Sequence, residues 1–146
     1  MKIKQLSLFL ENRPGALSAP VKILADAKIN IHTLTIAEAQ QYGILRMIVK
    51  DWEAAKSLLE KHGLVARVTD VLALEVADKP GGLAEVLGLL ESTGINLEYT
   101  YACTLKRKGR GVLLFRFDDP DRAIKALKKQ QLNVIGSEEL FGLMEG

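Results

Sequence analysis

The chain has 146 residues, 48% hydrophobic and 26% charged, which is typical of a globular protein. A net charge of +2 and an aromatic content of 5% argue against a nucleic-acid-binding surface. A single cysteine, Cys103, excludes an internal disulfide and a multi-cysteine metal cluster. With no visible signal core or membrane-length apolar run, we expect a cytoplasmic protein whose partners include neither nucleic acid nor membrane.

The first half of the chain predicts the order βαββαβ. Residues 3–10 are apolar and of strand length, and Pro14 is then expected in the first turn of a helix, where its missing N–H costs nothing. The periodicity predicts strands at 31–39 and 44–49, joined by a turn at 40–43. Asp51 is expected to cap a second helix that ends at Gly63, and a last strand covers 65–68.

The second half predicts the same order. Strands are expected at 71–77, 95–105, 112–117 and 132–135, and a helix at 82–92. Asp119 should cap a further helix over 120–129, with Pro120 at its first position. Thr69-Asp70 separates the last strand of one half from the first strand of the other, so the two sheets should lie close together.

An internal repeat relates the two halves. A shift of 66 residues aligns Asn12-Arg13-Pro14-Gly15-Ala16-Leu17 with Asp78-Lys79-Pro80-Gly81-Gly82-Leu83, and Ile29-Asn30-Ile31 with Ile95-Asn96-Leu97. Such a match is unlikely by chance in a chain with four prolines. The repeat predicts a duplicated domain, with copies at residues 1–70 and 71–146.

The fold class follows from this order. We expect an α+β protein made of two ferredoxin-like βαββαβ modules, each an antiparallel four-stranded sheet with two helices on one face, packed together. The strands at 44–49 and 112–117 carry apolar residues on both faces of the sheet. In an antiparallel sheet with one face exposed to solvent, apolar and polar residues should instead alternate along each strand. Much of the second face or the sheet edge should therefore be covered by the sister copy or another chain.

The turn after each first strand is the candidate site. Glycines at 15, 81 and 82 let a ligand approach the backbone, and the N–H groups at a helix start suit a carboxylate. The Asn12 carboxamide can both donate and accept. A free amino acid presents a carboxylate and an ammonium together, so this turn suits it. The same residues are also ordinary capping residues, and that alternative stays open.

These residues resemble the ACT domain, the amino-acid-sensing module of biosynthetic enzymes. The Pro-Gly turn and the later Asn-Ile or Asn-Leu occur twice and cover nearly the whole chain. The resemblance implies side-by-side pairing of domains, with the ligand often between them. It implies ligand-binding residues at Asn12, Gly15, Ala16, Leu17, Asn30, Ile31, Asp78, Gly81, Gly82, Leu83, Asn96 and Leu97.

The resemblance also implies a function. A freestanding pair would be a non-catalytic, allosteric regulator of amino-acid metabolism that binds a small amino acid, has no cofactor and forms a homodimer or an enzyme subunit. Asp78 replaces Asn12 in the second copy, so the two sites should differ in ligand or only one is used. The alternative is a structural pairing subunit without its own ligand, since the first copy also resembles the small subunit of acetohydroxyacid synthase.

Other functions find less support in the residues. RNA-recognition motifs share the βαββαβ order, but the stacking positions at 112 and 114 hold valine and leucine. The basic run at 106–110 should be a solvated hairpin tip at Gly109. An enzyme would need a nucleophile–base pair, a carboxylate dyad or metal-ligand spacing, none of which the sequence shows. Cys103 is expected to be a buried, inert thiol, and Leu140-Phe141 and Leu143-Met144 should pack under the domain or contact a second chain.

Overall fold

A computed structural model describes residues 1–145, with Lys106 and Arg107 described by their backbone alone. It contains seven strands and five helices within that range. They are β1 (Ile3–Glu11), α1 (Ser18–Asp26), β2 (Thr33–Ala39), β3 (Tyr42–Ile48), α2 (Trp52–Lys61), β4 (Ala66–Ala77), α3 (Gly82–Glu91), β5 (Leu97–Arg107), β6 (Arg110–Phe117), α4 (Pro120–Lys129), β7 (Val134–Ile135) and α5 (Ser137–Glu145). The predicted α+β class with antiparallel pairing is confirmed.

The chain divides into two compact units. The first covers Lys4–Thr69, and the second runs from Asp70 to the end of the described residues and includes Met1–Ile3. In the first unit the strand order is β2-β3-β1-β4, and in the second it is β5-β6-β4-β7. Each is the order of a ferredoxin-like βαββαβ module, in which the first and third strands lie in the centre of the sheet.

In the first unit, alternate residues of the central strands form the core beneath the helices. Leu6, Leu8 and Leu10 of β1 lie opposite Met47, Leu45 and Gly43 of β3. The leucines and Met47 pack with Leu24 of α1 and with Ala55 and Leu59 of α2. Asp51 caps α2 as predicted, because its carboxylate accepts a hydrogen bond from the Ala54 N–H at 3.2 Å.

The second unit repeats this arrangement with larger side chains. Leu72, Leu74 and Val76 of β4 pack with Phe115 and Phe117 of β6. Val86 and Leu90 of α3 and Leu127 of α4 complete the core. Asp119 caps α4 by accepting from the Arg122 N–H at 3.1 Å, and Pro120 is the first helical residue, both as predicted.

The second face of each sheet differs between the units. In the second unit, Ala73, Val112 and Leu114 point away from the helices and are almost completely buried within the chain. In the first unit, Phe9 and Tyr42 on the corresponding face are 59% and 47% exposed. The second face of the first unit is not open throughout, because Ile48 lies on that face and is completely buried within the chain. Apolar residues at both parities therefore accompany burial of the second face over part of the first unit as well.

One predicted boundary between strands is wrong, and one helix was not predicted. The break expected at Thr69-Asp70 does not exist, because β4 is continuous from Ala66 to Ala77 with no glycine or proline to interrupt it. A fifth helix, α5, follows β7 and was not predicted as a helix. Its Leu140 and Phe141 are buried within the chain, which favours packing under the domain over contact with a second chain. None of the helices within residues 1–145 has the length and apolar character that a membrane crossing requires.

Candidate functional site

Both Pro-Gly sequences form the same tight turn. Gly15 and Gly81 have φ values of +85° and +86°, in the left-handed region that favours glycine. The Ala16 N–H donates to the Arg13 carbonyl at 3.2 Å, and the Gly82 N–H donates to the Lys79 carbonyl at 3.0 Å. Proline at the second position and left-handed glycine at the third define a type II β-turn.

The prediction that Pro14 lies in the first turn of a helix is therefore wrong. A left-handed residue directly after the proline cannot continue a right-handed helix, so α1 begins at Ser18 and α3 at Gly82. Asn12, Gly15, Ala16 and Leu17 all precede α1. In the second copy Asp78 and Gly81 precede α3, while Gly82 and Leu83 are its first two residues.

Each turn is fastened to the tip of the hairpin that follows it. The Asn12 N–H donates to the Gln41 carbonyl at 2.9 Å, and the Asn12 side-chain Nδ2 donates to the Gln40 carbonyl at 2.9 Å. In the second unit the Asp78 N–H donates to the Gly109 carbonyl at 2.9 Å. The Asn12 side chain thus has a structural task in addition to its predicted ligand-binding role.

A pocket of about 430 Å³ lies at the second turn. Val76, Pro80, Leu83 and Leu113 supply apolar surface, and Asp78 and Lys79 supply a carboxylate and an ammonium; Ala77 and Gly111 complete the lining. Among the described residues, Lys79 forms no ion pair. The pocket therefore offers groups of both charges next to an apolar surface.

The first turn has a smaller pocket of about 320 Å³. Gly15 and Ala16 line it together with Phe9, Leu10, Glu11, Arg13, Ala19 and Leu64. Arg13 occupies the position of Lys79, but its Nε donates to the Glu11 carboxylate at 2.7 Å. Both side chains of this ion pair are largely exposed, so the pair adds little to the stability of the fold. The Arg13 guanidinium of the first turn is nevertheless already paired with a carboxylate.

The structure does not bring the two halves of each predicted site together within one copy. Asn30 and Ile31 precede β2, whereas the Asn12 turn is fastened to Gln40 and Gln41 at its other end. A strand of seven residues such as β2 separates its ends by about 20 Å. Likewise Asn96 and Leu97 lie at the start of β5, and the Asp78 turn is fastened to the tip that follows β5.

Several pocket residues were not predicted. Lys79 and Arg13 directly precede the prolines, and a basic residue at the same place in both repeats was a usable signal for a carboxylate ligand. Val76, Gly111 and Leu113 reach the pocket from strands that are distant in sequence. Their contribution depends on the register of β4 and β6, which sequence spacing does not give.

Cys103 is buried, with 8% of its surface exposed, and burial raises the pKa of its thiol to about 11. The thiolate, not the neutral thiol, is the nucleophile that attacks thiol reagents. We therefore expect Cys103 to react roughly a hundredfold more slowly at pH 8 than a free thiol of pKa 9.0. Burial of the neutral thiol stabilises the fold below pH 9, and this contribution is lost as the pH rises towards 11. Ellman's reagent, with and without guanidinium, checks this expectation; equal rates in both conditions would contradict it.

The predicted basic hairpin tip lies beside a pocket of about 310 Å³, which is lined by Glu75, Lys108, Arg110, Asn133 and Glu139. The turn between β5 and β6 lies at Lys108-Gly109, where the hairpin tip was predicted, while the side chains of Lys106 and Arg107 lie outside the described residues. The Arg110 guanidinium contacts the Glu75 carboxylate at 3.2 Å. Within the part of the chain that the structure describes, no cluster of His, Cys, Asp and Glu side chains could hold a metal ion.

Comparison with known proteins agrees with this duplicated architecture. The sequence profile of the ACT domain pair matches residues 1–144. The chain belongs to the ACT domain pair family. The resemblance read from the two Pro-Gly turns is therefore confirmed, and each unit is an ACT domain.

Solved structures from several organisms are similar to this chain. Protein BT0572 from Bacteroides thetaiotaomicron is 35% identical, covers 97% of this chain and 96% of its own, and superposes with a TM-score of 0.88. The regulatory subunits of aspartate kinase from Thermus thermophilus and Thermus flavus are each 18% identical, with TM-scores of 0.62 and 0.60. They cover 86% of this chain and 91% and 90% of their own, and they share its fold. No curated protein matches the sequence significantly.

Proposed function

We propose that this ACT domain pair is a non-catalytic regulatory protein that binds a free amino acid at the turn of its second domain. The observation that carries the proposal is the pocket of about 430 Å³ at Asp78–Leu83. Pockets for small molecules typically fall between about 300 and 1,000 Å³, and combine apolar walls with a few polar groups. The proposed setting is the cytoplasm.

The lining of the pocket suits an amino acid with a small apolar side chain. The Lys79 ammonium would pair with the ligand carboxylate and the Asp78 carboxylate with the ligand ammonium. Leu83 and Leu113 would contact the side chain, which gains about 25 cal/mol per Å² of apolar surface removed from water. The two charges fix the orientation, and the apolar contacts select among amino acids.

The first turn supports a second candidate function, that of a pairing subunit without its own ligand. Asn12, the polar residue predicted to hold a ligand there, donates instead to Gln40, and Arg13 contacts Glu11. The Asn12 side chain joins the turn to the hairpin tip, whereas Arg13 contacts the last residue of β1. On this view the first ACT domain is structural, even where the second binds an amino acid.

Thermal unfolding in the presence of each common amino acid tests the proposal. A ligand at a hundredfold excess over its Kd adds about 2.7 kcal/mol to the free energy of unfolding, equivalent to several degrees in Tm. We expect a selective rise with one or a few small apolar amino acids, abolished in Lys79→Ala because the carboxylate loses its cation. Arg13→Ala is the matched control at the first turn and should keep the rise.

Two other outcomes have definite meanings. Loss of the rise in Arg13→Ala but not in Lys79→Ala would place the ligand at the first turn and contradict the assignment to the second. Absence of a rise with every amino acid at millimolar concentration would reject amino-acid binding and leave the pairing subunit.

A further inference from the structure

The second ACT domain has a further pocket on the sheet face that is turned away from α3 and α4. We call it the polar pocket, because each side chain that lines its volume of about 310 Å³ is charged or carries an amide: Glu75, Lys108, Arg110, Asn133 and Glu139. Apolar side chains, by contrast, form much of the pocket of the second turn. The lining of the polar pocket therefore suits a ligand that is polar over its whole surface.

The two pockets occupy opposite faces of the same pair of strands. Glu75 and Arg110 line the polar pocket, while their neighbours in sequence, Val76 and Gly111, line the pocket of the second turn. Successive residues of a strand point to opposite faces of its sheet. The polar pocket is thus a separate site, and a ligand bound there does not compete for the space at the Asp78 turn.

Two cations of the polar pocket can contact an anion. The Arg110 guanidinium contacts the Glu75 carboxylate at 3.2 Å through Nε, and one Nη donates to the Glu75 carbonyl oxygen at 3.4 Å. The Glu75 side chain is only 13% exposed, so it holds the guanidinium at the pocket while other N–H groups of Arg110 stay available. Lys108 forms no ion pair among the described residues. An oriented guanidinium beside an unpaired ammonium suits a phosphate group.

The backbone at the hairpin tip is unfavourable for the lysine that it carries. Lys108 and Gly109 have φ values of +49° and +74°, and a two-residue hairpin turn of this kind requires left-handed geometry at both central positions. Asparagine and glycine adopt that geometry readily, whereas a long side chain seldom does. The turn itself does not call for lysine at position 108, and the ammonium is what this residue supplies to the polar pocket.

We propose that the polar pocket binds a small phosphate ester that carries hydroxyl groups, such as a sugar phosphate. Lys108 and Arg110 would contact the phosphate group, and the Glu139 carboxylate and Asn133 carboxamide would accept hydrogen bonds from the hydroxyl groups. A carboxylate repels a bare phosphate ion, so Glu139 favours the hydroxylated ester over inorganic phosphate. This inference does not rest on amino-acid binding at the second turn.

Isothermal titration calorimetry with ribose 5-phosphate tests the proposal, with inorganic phosphate and ribose as reference probes. We expect saturable binding of ribose 5-phosphate, weaker binding of phosphate and none of ribose. Lys108→Asn should weaken the binding of ribose 5-phosphate roughly tenfold or more, because the phosphate loses a cation while asparagine suits the left-handed turn. Lys128→Gln, which removes one positive charge from the exposed surface of α4, is the matched control and should bind as the native chain does.

Two further variants test the hydroxyl contacts and the location. Glu139→Ala should weaken the binding of ribose 5-phosphate but not of inorganic phosphate, since the sugar loses an acceptor while the inorganic ion loses a repelling charge. Lys79→Ala should leave both affinities unchanged, because Lys79 lines the other pocket. No binding of ribose 5-phosphate at millimolar concentration, or equal binding by Lys108→Asn and the native chain, would overturn the proposal. Loss of binding in Lys79→Ala alone would place the phosphate at the second turn and would also overturn it.

Discussion

Gly82→Ala should destabilise the protein by about 3 kcal/mol, since the new methyl group has no space. A Cβ built at Gly82 lies 2.0 Å from the Ala77 carbonyl oxygen and 3.0 Å from its carbon. These are backbone atoms of β4, so no side-chain rotation relieves the contact and α3 must move away from the strand. Urea unfolding measures the change as a lower midpoint at unchanged slope.

Gly88→Ala is the matched control for this prediction. Gly88 lies in the same helix, and a Cβ there meets nothing within 4 Å. Alanine should therefore stabilise the helix by about 0.5–1 kcal/mol through its better helix propensity. A loss of stability at Gly88 similar to that at Gly82 would show that close packing against Ala77 is not the reason for glycine at position 82.

Phe115→Ala should cost about 3–5 kcal/mol, the largest effect expected of a single truncation here. Phe115 is completely buried in the core of the second domain, and its ring stacks on Phe117 with centroids 5.9 Å apart. Truncation removes this contact and leaves a cavity that the surrounding strands cannot fill. The free energy of unfolding from a urea titration checks the value.

Phe9→Ala removes the same side chain from the first domain and should cost less than about 1 kcal/mol. Phe9 is 59% exposed and has an edge contact with Tyr42 at 5.9 Å. Equal losses at Phe9 and Phe115 would contradict the description of one as surface and the other as core.

Much of the fold could be predicted from local signals. Asp51 and Asp119 marked the starts of α2 and α4, because an N-cap carboxylate acts within three residues of its own position. The repeat of Pro-Gly and Asn-Ile gave the duplication without any tertiary information. Hydrophobic periodicity then assigned the strands.

The errors arose where two local rules compete or where long-range contacts decide. Pro14 fits both a helix start and a type II turn, and the left-handed Gly15 decides for the turn. Helix α5 was missed because Gly142 interrupts its helical pattern. Glu138 and Glu139 were a usable signal for its start, since acidic side chains stabilise the first turn of a helix. Asn12 and Asn30 lie at opposite ends of β2. The motif residues alone do not give the direction in which this strand runs, so they did not predict the separation.

The measurement that tests the central claim most directly is an amide ¹H–¹⁵N NMR titration of the native chain with small apolar amino acids. We expect saturable shifts of the Gly81, Gly82 and Gly111 signals, since these amides lie in or beside the pocket of the second turn. The Gly88 amide, on the same helix but away from that lining, should stay in place. Saturable shifts confined to other parts of the chain, or no shifts with any amino acid at millimolar concentration, would contradict amino-acid binding at the second ACT domain.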